Sequence, residues 1–210
     1  MSEQAFHHPS SASFRNQCLI DRVRHQLSER RFQHTLGVLH VSLVLADAHR
    51  VDVECAAQAA LLHDQSKEIE DARLRRQLEA FGEPLGPEDE PFPKTWHALH
   101  AAAVAKYQLG LRQPELLQAI RLHATADEAL TSTGKILFVA DFCEPGRGHR
   151  IAETLLELAR RDLEAGFRQV LEIKCRHVVG KRGRMSPRAL RAIDAYLPKT
   201  ARRDFECVPG

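Results

Sequence analysis

The stretch Ala60-Leu61-Leu62-His63-Asp64-Gln65-Ser66-Lys67 sets an imidazole beside a carboxylate at the end of an alanine-rich apolar run, with a lysine just beyond. Imidazole nitrogen and carboxylate oxygen are both good donors to divalent metals of hard to borderline character. An adjacent His-Asp pair is common by chance and gains weight only from company. Four companions occur in apolar, helix-patterned surroundings: His34, His97, His123 and Asp141. If these meet His63 and Asp64, the chain is a metal-dependent hydrolase. Six donors exceed the needs of one open catalytic ion. They serve two if one carboxylate bridges, and Asp64 is the natural bridge. Fe, Mn, Co, Ni or Zn suits this donor set better than Mg, which prefers oxygen and keeps its waters.

The elements that must position these groups are helices. Apolar residues recur at helical spacing over 16–27 (Leu19, Ile20, Val23, Leu27) and again from Arg31 (Phe32, Leu36, Leu39, Leu43, Val44), with His34 near the start of the second run. Val53 to Leu62 is a third helix, ended by His63 and Asp64. Lys67 to Phe81 is charged and reads as an exposed helix with Leu74 and Leu78 inward. Residues 82–93 contain four prolines and two glycines and form a loop, either a connector or a lid. A helix from Lys94 to Leu109 carries His97 and His100 and closes at Gly110, with His97 the preferred ligand of the two. Pro114 opens the next helix, which reaches His123. Residues 134–142 are strongly apolar and end near Asp141. No partner strand is visible elsewhere, so this stretch is also helical. One long helix is expected over 151–178, then a basic turn, then a last helix over 187–197 behind Ser186 as N-cap.

The fold expected is therefore all-α: a single-domain helical bundle that gathers helix ends around a dinuclear metal site. Residues 1–15, rich in Ser, His and Pro, are expected to be a disordered tail. Residues 16–200 form the helical domain, and 201–210 a flexible C-terminus.

A chain of 210 residues is long enough for one real core. A net charge of +2 gives no general reason to invoke nucleic acid or membrane, and no apolar run approaches the ~20 residues of a membrane span. The five cysteines lack CxxC spacing and residues 1–15 lack the apolar run of a signal peptide, so reduced thiols in a cytoplasm are expected. Cys143 reads as a packing residue. The basic group Lys174, Arg176, Lys181, Arg182, Arg184, Arg188 and Arg191 reads first as a solvated face, with a phosphate-gathering or RNA-contacting role as the alternative.

Five segments carry a family resemblance: Arg31-Phe32-Gln33-His34-Thr35-Leu36-Gly37-Val38, the His63-Asp64 stretch, Trp96-His97-Ala98, Ala119-Ile120-Arg121-Leu122-His123, and Val139 through Arg147. In this order they resemble the HD phosphohydrolase superfamily, in particular its YqeK branch of symmetrical diadenosine tetraphosphate hydrolases. The resemblance implies one metal on His34, His63, Asp64 and Asp141, and a second on Asp64, His97 and His123, with iron as the ion. It implies attack of a metal-bound hydroxide on the tetraphosphate bridge of a dinucleoside polyphosphate, releasing two ADP. Asp64 would then be catalytic as the bridge. Lys67 and Arg147 would bind substrate and neutralise charge as it leaves, Lys67 as a point charge and Arg147 as a fork. A homodimer is allowed; membrane and nucleic acid are not expected partners. After His97 this chain has Leu99 and Ala101 where the family tends to have Pro and Gly. After His123 it has Ala124-Thr125-Ala126 where Thr-Thr-Gly is usual. The alternatives are the same metal chemistry on another nucleotide (a nucleoside polyphosphate or a cyclic nucleotide), or a non-catalytic nucleotide-binding module.

Overall fold

Small side chains decide how closely the central helices approach. In the computed structural model, which describes residues 11–148, 150–181, 183–200 and 205, helix α3 (Val53–Leu62) is buried from Cys55 to its end. Four of its ten residues are alanine. It packs against α1 (Ser11–Gln26), α2 (Glu29–His49), α6 (Pro114–Leu122) and α7 (Ser132–Cys143). Helix α5 (Pro93–Tyr107), also alanine-rich, lies on α6, and α4 (Asp71–Ala80) lies on α5. On the other side α8 (Ala152–Arg161) and α9 (Leu163–Gly180) cover α7, and α10 (Pro187–Tyr196) rests on α9. Among the described residues the regular structure is helical, with no strand. One core runs through the molecule, built on residues such as Val38, Leu45, Leu61, Ile120, Ile136, Phe138 and Phe167. A satellite of Leu78, Leu99 and Ala103, with Phe81 and Leu85, lies under the 82–93 loop. This is the all-α, single-core architecture expected.

Helix ends are set by local chemistry. Ser28 caps α2 through a bond from the Arg31 amide, and Asp52 caps α3 through the amides of Glu54 and Cys55. Glu68 accepts from both the amide (2.8 Å) and the hydroxyl (2.6 Å) of Ser28. That pair ties the segment after Asp64 to the start of the helix that carries His34.

Three boundaries differ from expectation. Helix α1 begins at Ser11 rather than Asn16; residues 1–10 of the expected tail, with His7 and His8, lie outside the described residues, as do all of 201–210 but Phe205. The helix expected from Lys67 starts only at Asp71. The preceding residues form turns instead, pinned by the Gln65 side chain to the Ala101 carbonyl (3.2 Å) and by Ser66 to His100 (2.8 Å). The long helix over 151–178 is broken into α8 and α9 at Asp162, whose backbone is extended (φ −144°, ψ 100°). Its carboxylate accepts from the Ala165 amide and starts α9. The corner is tight, because a Cβ on Gly166 would collide with Ala159.

The 82–93 loop is tethered. Arg188, on α10, grips Asp89 with two guanidinium nitrogens at 3.0 and 2.9 Å and reaches Asp127 at 3.3 Å. Arg191, one turn on, forks onto Asp127 at 2.7 and 2.8 Å and reaches Glu88 at 3.0 Å. The indole of Trp96 donates to the Asp89 carbonyl at 2.8 Å. The loop before His97 and the loop after His123 therefore share one clamp.

Candidate metal centre

Three histidines present the same face inward for the same reason. His63, the C-cap of α3, places Nδ1 2.7 Å from the Ala60 carbonyl. His123, the C-cap of α6, places Nδ1 2.8 Å from the Ile120 carbonyl. His34, in the second turn of α2, places Nδ1 3.0 Å from Glu144 Oε1. A carbonyl or carboxylate can only accept, so each Nδ1 carries the proton and each Nε2 is left as a lone pair.

These lone pairs converge on Asp64. Its Oδ2 lies 3.7 Å from Nε2 of His34 and 3.7 Å from Nε2 of His63. Its Oδ1 lies 3.3 Å from Nε2 of His97 and 3.5 Å from Nε2 of His123. The His34 and His63 nitrogens are 3.4 Å apart, and those of His97 and His123 are 3.2 Å apart. Asp141, near the end of α7, brings Oδ1 to 3.3 Å from His34 and 4.0 Å from His63. Two donors bound to one ion at ~2.1 Å stand about 3.0–3.4 Å apart, so half of these spacings are those of ligand edges and the others are slightly wider. A cluster of lone pairs and carboxylate oxygens facing one another is unfavourable unless a cation sits among them. The residues present fit divalent metal, and His34, His63 and Asp141, and likewise His63, Asp64 and His123, form groups able to hold an ion.

The electrostatics agree. Burial pushes the pKa of His63 down to about 4, and lowers His97 and His123 as well, so these rings are neutral ligands at neutral pH. Burial works against the charge of Asp64, but His63 and the close approach of His123 and His97 outweigh it and hold the carboxyl well below its usual range. Asp141 is likewise held low against burial, chiefly by Lys174. His34 is the exception. In the metal-free chain the carboxylates of Asp141 and Glu144 beside its two ring nitrogens favour a second proton and raise its pKa against burial. A metal ion at Nε2 would take that proton's place. Three of the helices, α3, α6 and α7, reach the cluster with their C-terminal ends, whose partial negative charge favours a cation.

Cations rim the cluster. Arg31 meets Asp64 Oδ2 at 2.7 Å, and Lys67 lies 3.1 Å from Nε2 of His97. Arg147 binds the carboxylate and the carbonyl of Asp141. Lys174 stands 3.4 Å from Asp141 Oδ2. A 240 Å³ cleft with Lys67, Lys94, Leu74, Ile69 and Pro93 in its walls opens beside His97.

All six expected donors thus surround one volume, with Lys67 and Arg147 at its edge. His100 points away, to Ser66 Oγ, with its other nitrogen buried and without a partner among the described residues. The Cys143 thiol is pushed up to about 12 by burial and by Asp141, so it is protonated and packs. Sequence reasoning assigned no role to Arg31 or Glu144, although both lie inside the quoted segments. It placed Lys174 in a basic group read first as solvated surface, with phosphate gathering as the alternative, and did not connect it to the metal centre. The only signal for Glu144 was its place three residues after Asp141, at the end of an apolar helix.

The HD domain family matches residues 31–146. The chain belongs to the HD domain family. That span starts at Arg31 and contains all six donors. Within the family its relatives are of the YqeK type. The symmetrical bis(5'-nucleosyl)-tetraphosphatase of Bacillus subtilis (strain 168) is 29% identical over 71% of this chain and 80% of its own length. That of Halalkalibacterium halodurans is 32% identical over 70% of this chain and 79% of its own. A predicted HD superfamily hydrolase involved in NAD metabolism, from Clostridium acetobutylicum, superposes with a TM-score of 0.81 at 27% identity, covering 86% of this chain and 96% of that one.

The departure after His123 has a structural consequence. Ala126 is fully buried and adopts φ +59°, the left-handed region that glycine enters most easily. Its amide bonds to the Leu122 carbonyl at 2.7 Å, which holds the turn despite the added methyl.

Proposed function

We propose that this chain is a symmetrical bis(5'-nucleosyl)-tetraphosphatase that hydrolyses diadenosine tetraphosphate to two ADP. The observation that carries the reading is the division of Asp64, one oxygen toward His34 and His63 and the other toward His97 and His123. The names of the relatives supply the substrate. In this reading two divalent ions, iron for preference, are held by His34, His63, Asp64 and Asp141 on one side and by Asp64, His97 and His123 on the other. When bound, such ions supply Lewis acidity to phosphoryl oxygens and lower the pKa of water.

The reaction adds one water across the central P–O–P linkage. Its oxygen bonds to the phosphorus on one side of the bridge, the bridging oxygen leaves with the other ADP, and a proton is released. A nucleoside diphosphate is a weakly basic leaving group, so the chain's main task is to neutralise charge rather than to donate a proton. Lys67 provides an ammonium beside His97 and Arg147 a guanidinium beside Asp141. Both stand where a polyphosphate reaching the cluster meets them. Helix ends and second-layer bonds hold the histidines in their ligating orientation before substrate arrives, so little reorganisation accompanies the reaction. We place this activity in the cytoplasm. Cys55, Cys143 and Cys175 are free, buried thiols, and no described helix is long and apolar enough to cross a membrane.

The test is the product distribution. Protein reconstituted with Fe, Mn or Co and given diadenosine tetraphosphate is expected to yield ADP alone. ATP with AMP means asymmetric attack and overturns the assignment. Turnover confined to other nucleotides points to a different substrate, and bound metal without any turnover points to a binding module.

A further inference from the structure

Lys174 lies on α9, outside the span that matches the HD domain family. Its place in a basic stretch gives no hint of the metal centre. In the fold α9 packs on α7, and the Lys174 side chain crosses the Phe138 ring with Nζ 4.0 Å from the centroid. Phe138 and Asp141 are one turn apart on α7, so the ring aims the ammonium along the face that carries Asp141. Nζ comes to rest 3.4 Å from Asp141 Oδ2 and 3.4 Å from the His123 carbonyl oxygen. It therefore touches residues from both halves of the donor set.

Three features distinguish it from an ordinary structural ion pair. Both contacts are long for a charge-assisted bond, which is typically about 2.7–2.9 Å, whereas Arg31 holds Asp64 at 2.7 Å. Asp141 already has a partner for its other oxygen in Arg147. Finally, an ammonium has three donors, and its side chain is 24% exposed, so it keeps a path to whatever enters from solvent. The neighbours explain what that would be. Arg31, Lys67, Arg147 and Lys174 face Asp64, Asp141 and Glu144, and the charge of Lys174 is felt at Lys67 across the cluster. These four cations match the carboxylates around them once Glu68 beside Arg31 is counted, so bound metal would leave positive charge that an anionic ligand would offset.

The geometry points to Lys174 as a further substrate-contacting cation, whose ammonium, between Asp141 and His123, binds a non-bridging oxygen of the phosphate chain. This deepens the function proposed above and rests on it for the identity of the substrate. Were Asp141 to share its charge with a metal ion, its hold on Lys174 would weaken and leave the ammonium free for phosphate.

The experiment compares wild type, Lys174→Met and Lys174→Arg, each loaded with metal, in four readouts: metal content, melting temperature, affinity for inorganic tripolyphosphate, and KM and kcat on diadenosine tetraphosphate. Methionine keeps an unbranched stem over Phe138 and removes the charge. Lys174→Met is expected to keep its metal content and melting temperature while tripolyphosphate affinity and kcat/KM fall about ten- to a hundred-fold, with much of the loss restored in Lys174→Arg. Tripolyphosphate affinity equal to wild type overturns the assignment. So does a loss of metal content that accounts for the whole effect, since Lys174 would then only order Asp141. If wild type binds tripolyphosphate but does not split diadenosine tetraphosphate, the function above fails by itself and the Lys174 comparison is still read from tripolyphosphate. A wild type that binds no tripolyphosphate overturns both.

Discussion

Glu144 Oε1 lies 3.0 Å from Nδ1 of His34, joining residues 110 apart in sequence. The same carboxylate accepts from the Gly146 amide at 2.6 Å, and it passes so near α2 that a Cβ on Gly37 would fall 2.5 Å from Oε2. Glu144→Gln, which exchanges a charged acceptor for a neutral amide, is expected to weaken metal binding about 10- to 100-fold with little change in fold. Gly37→Ala separates the effects. In an ordinary helix it would add roughly 0.5–1 kcal/mol of stability, but here it must displace Glu144, so metal affinity should fall too. Competition with a chromophoric chelator measures both variants. Wild-type affinity in each would remove Glu144 from the support of the centre.

Asp64 is the residue both halves of the donor set share. Asp64→Ala should abolish turnover and lower bound metal below one ion per chain, because the His97–His123 half loses its sole carboxylate and the other half keeps only Asp141. Elemental analysis of the purified variant checks this. Retention of full metal content would sink Asp64 as the bridge.

Acid should destabilise the metal-free chain through buried neutral histidines. His100 is only 2% exposed, its Nε2 has no partner among the described residues, and burial pushes its pKa down to about 4. In the unfolded chain it titrates near 6.5. The unfolded state thus binds the extra proton between those values, so stability falls as pH drops from about 6.5 toward 4. At pH 5 the loss from His100 is about 2 kcal/mol, several degrees of melting temperature. His63, also lowered to about 4 by burial, acts in the same direction. His34, whose pKa is raised, acts in the opposite one. His100→Gln should flatten part of the acid limb in thermal melts at pH 7.5 and pH 5. An unchanged slope would show that His100 does not carry it.

The clamp from α10 makes the 82–93 loop a fixed wall. Asp89 and Asp127 are each 8% exposed; Asp89 is held by Arg188, and Asp127 by Arg188 and Arg191. Arg188→Ala leaves Asp89 short of its forked partner and should cost about 1–3 kcal/mol. It should also speed hydrogen exchange and proteolytic cutting within 82–93. Fast exchange already present in wild type would mean that the loop opens as a lid despite the clamp.

The sequence by itself determined the chemistry available and the elements that carry it. Histidine and aspartate at the ends of apolar periodic runs named six donors, and the same periodicity named the helices, because the buried stripe of a helix is a local property of the chain. Gly110, Pro114 and Ser186 marked boundaries for equally local reasons. The break at Asp162 was missed because its neighbours continue an apolar period; the Asp162 cap and the close packing of Gly166 on Ala159 together make the corner. Tertiary structure alone decided which oxygen of Asp64 faces which histidines, that Glu144 orients His34, that Arg31 pairs with Asp64, and that Lys174 leaves the surface for the rim. These are contacts between helices far apart in the chain. They depend on the angles and depths at which helices pack, and a one-dimensional hydrophobic pattern does not encode those.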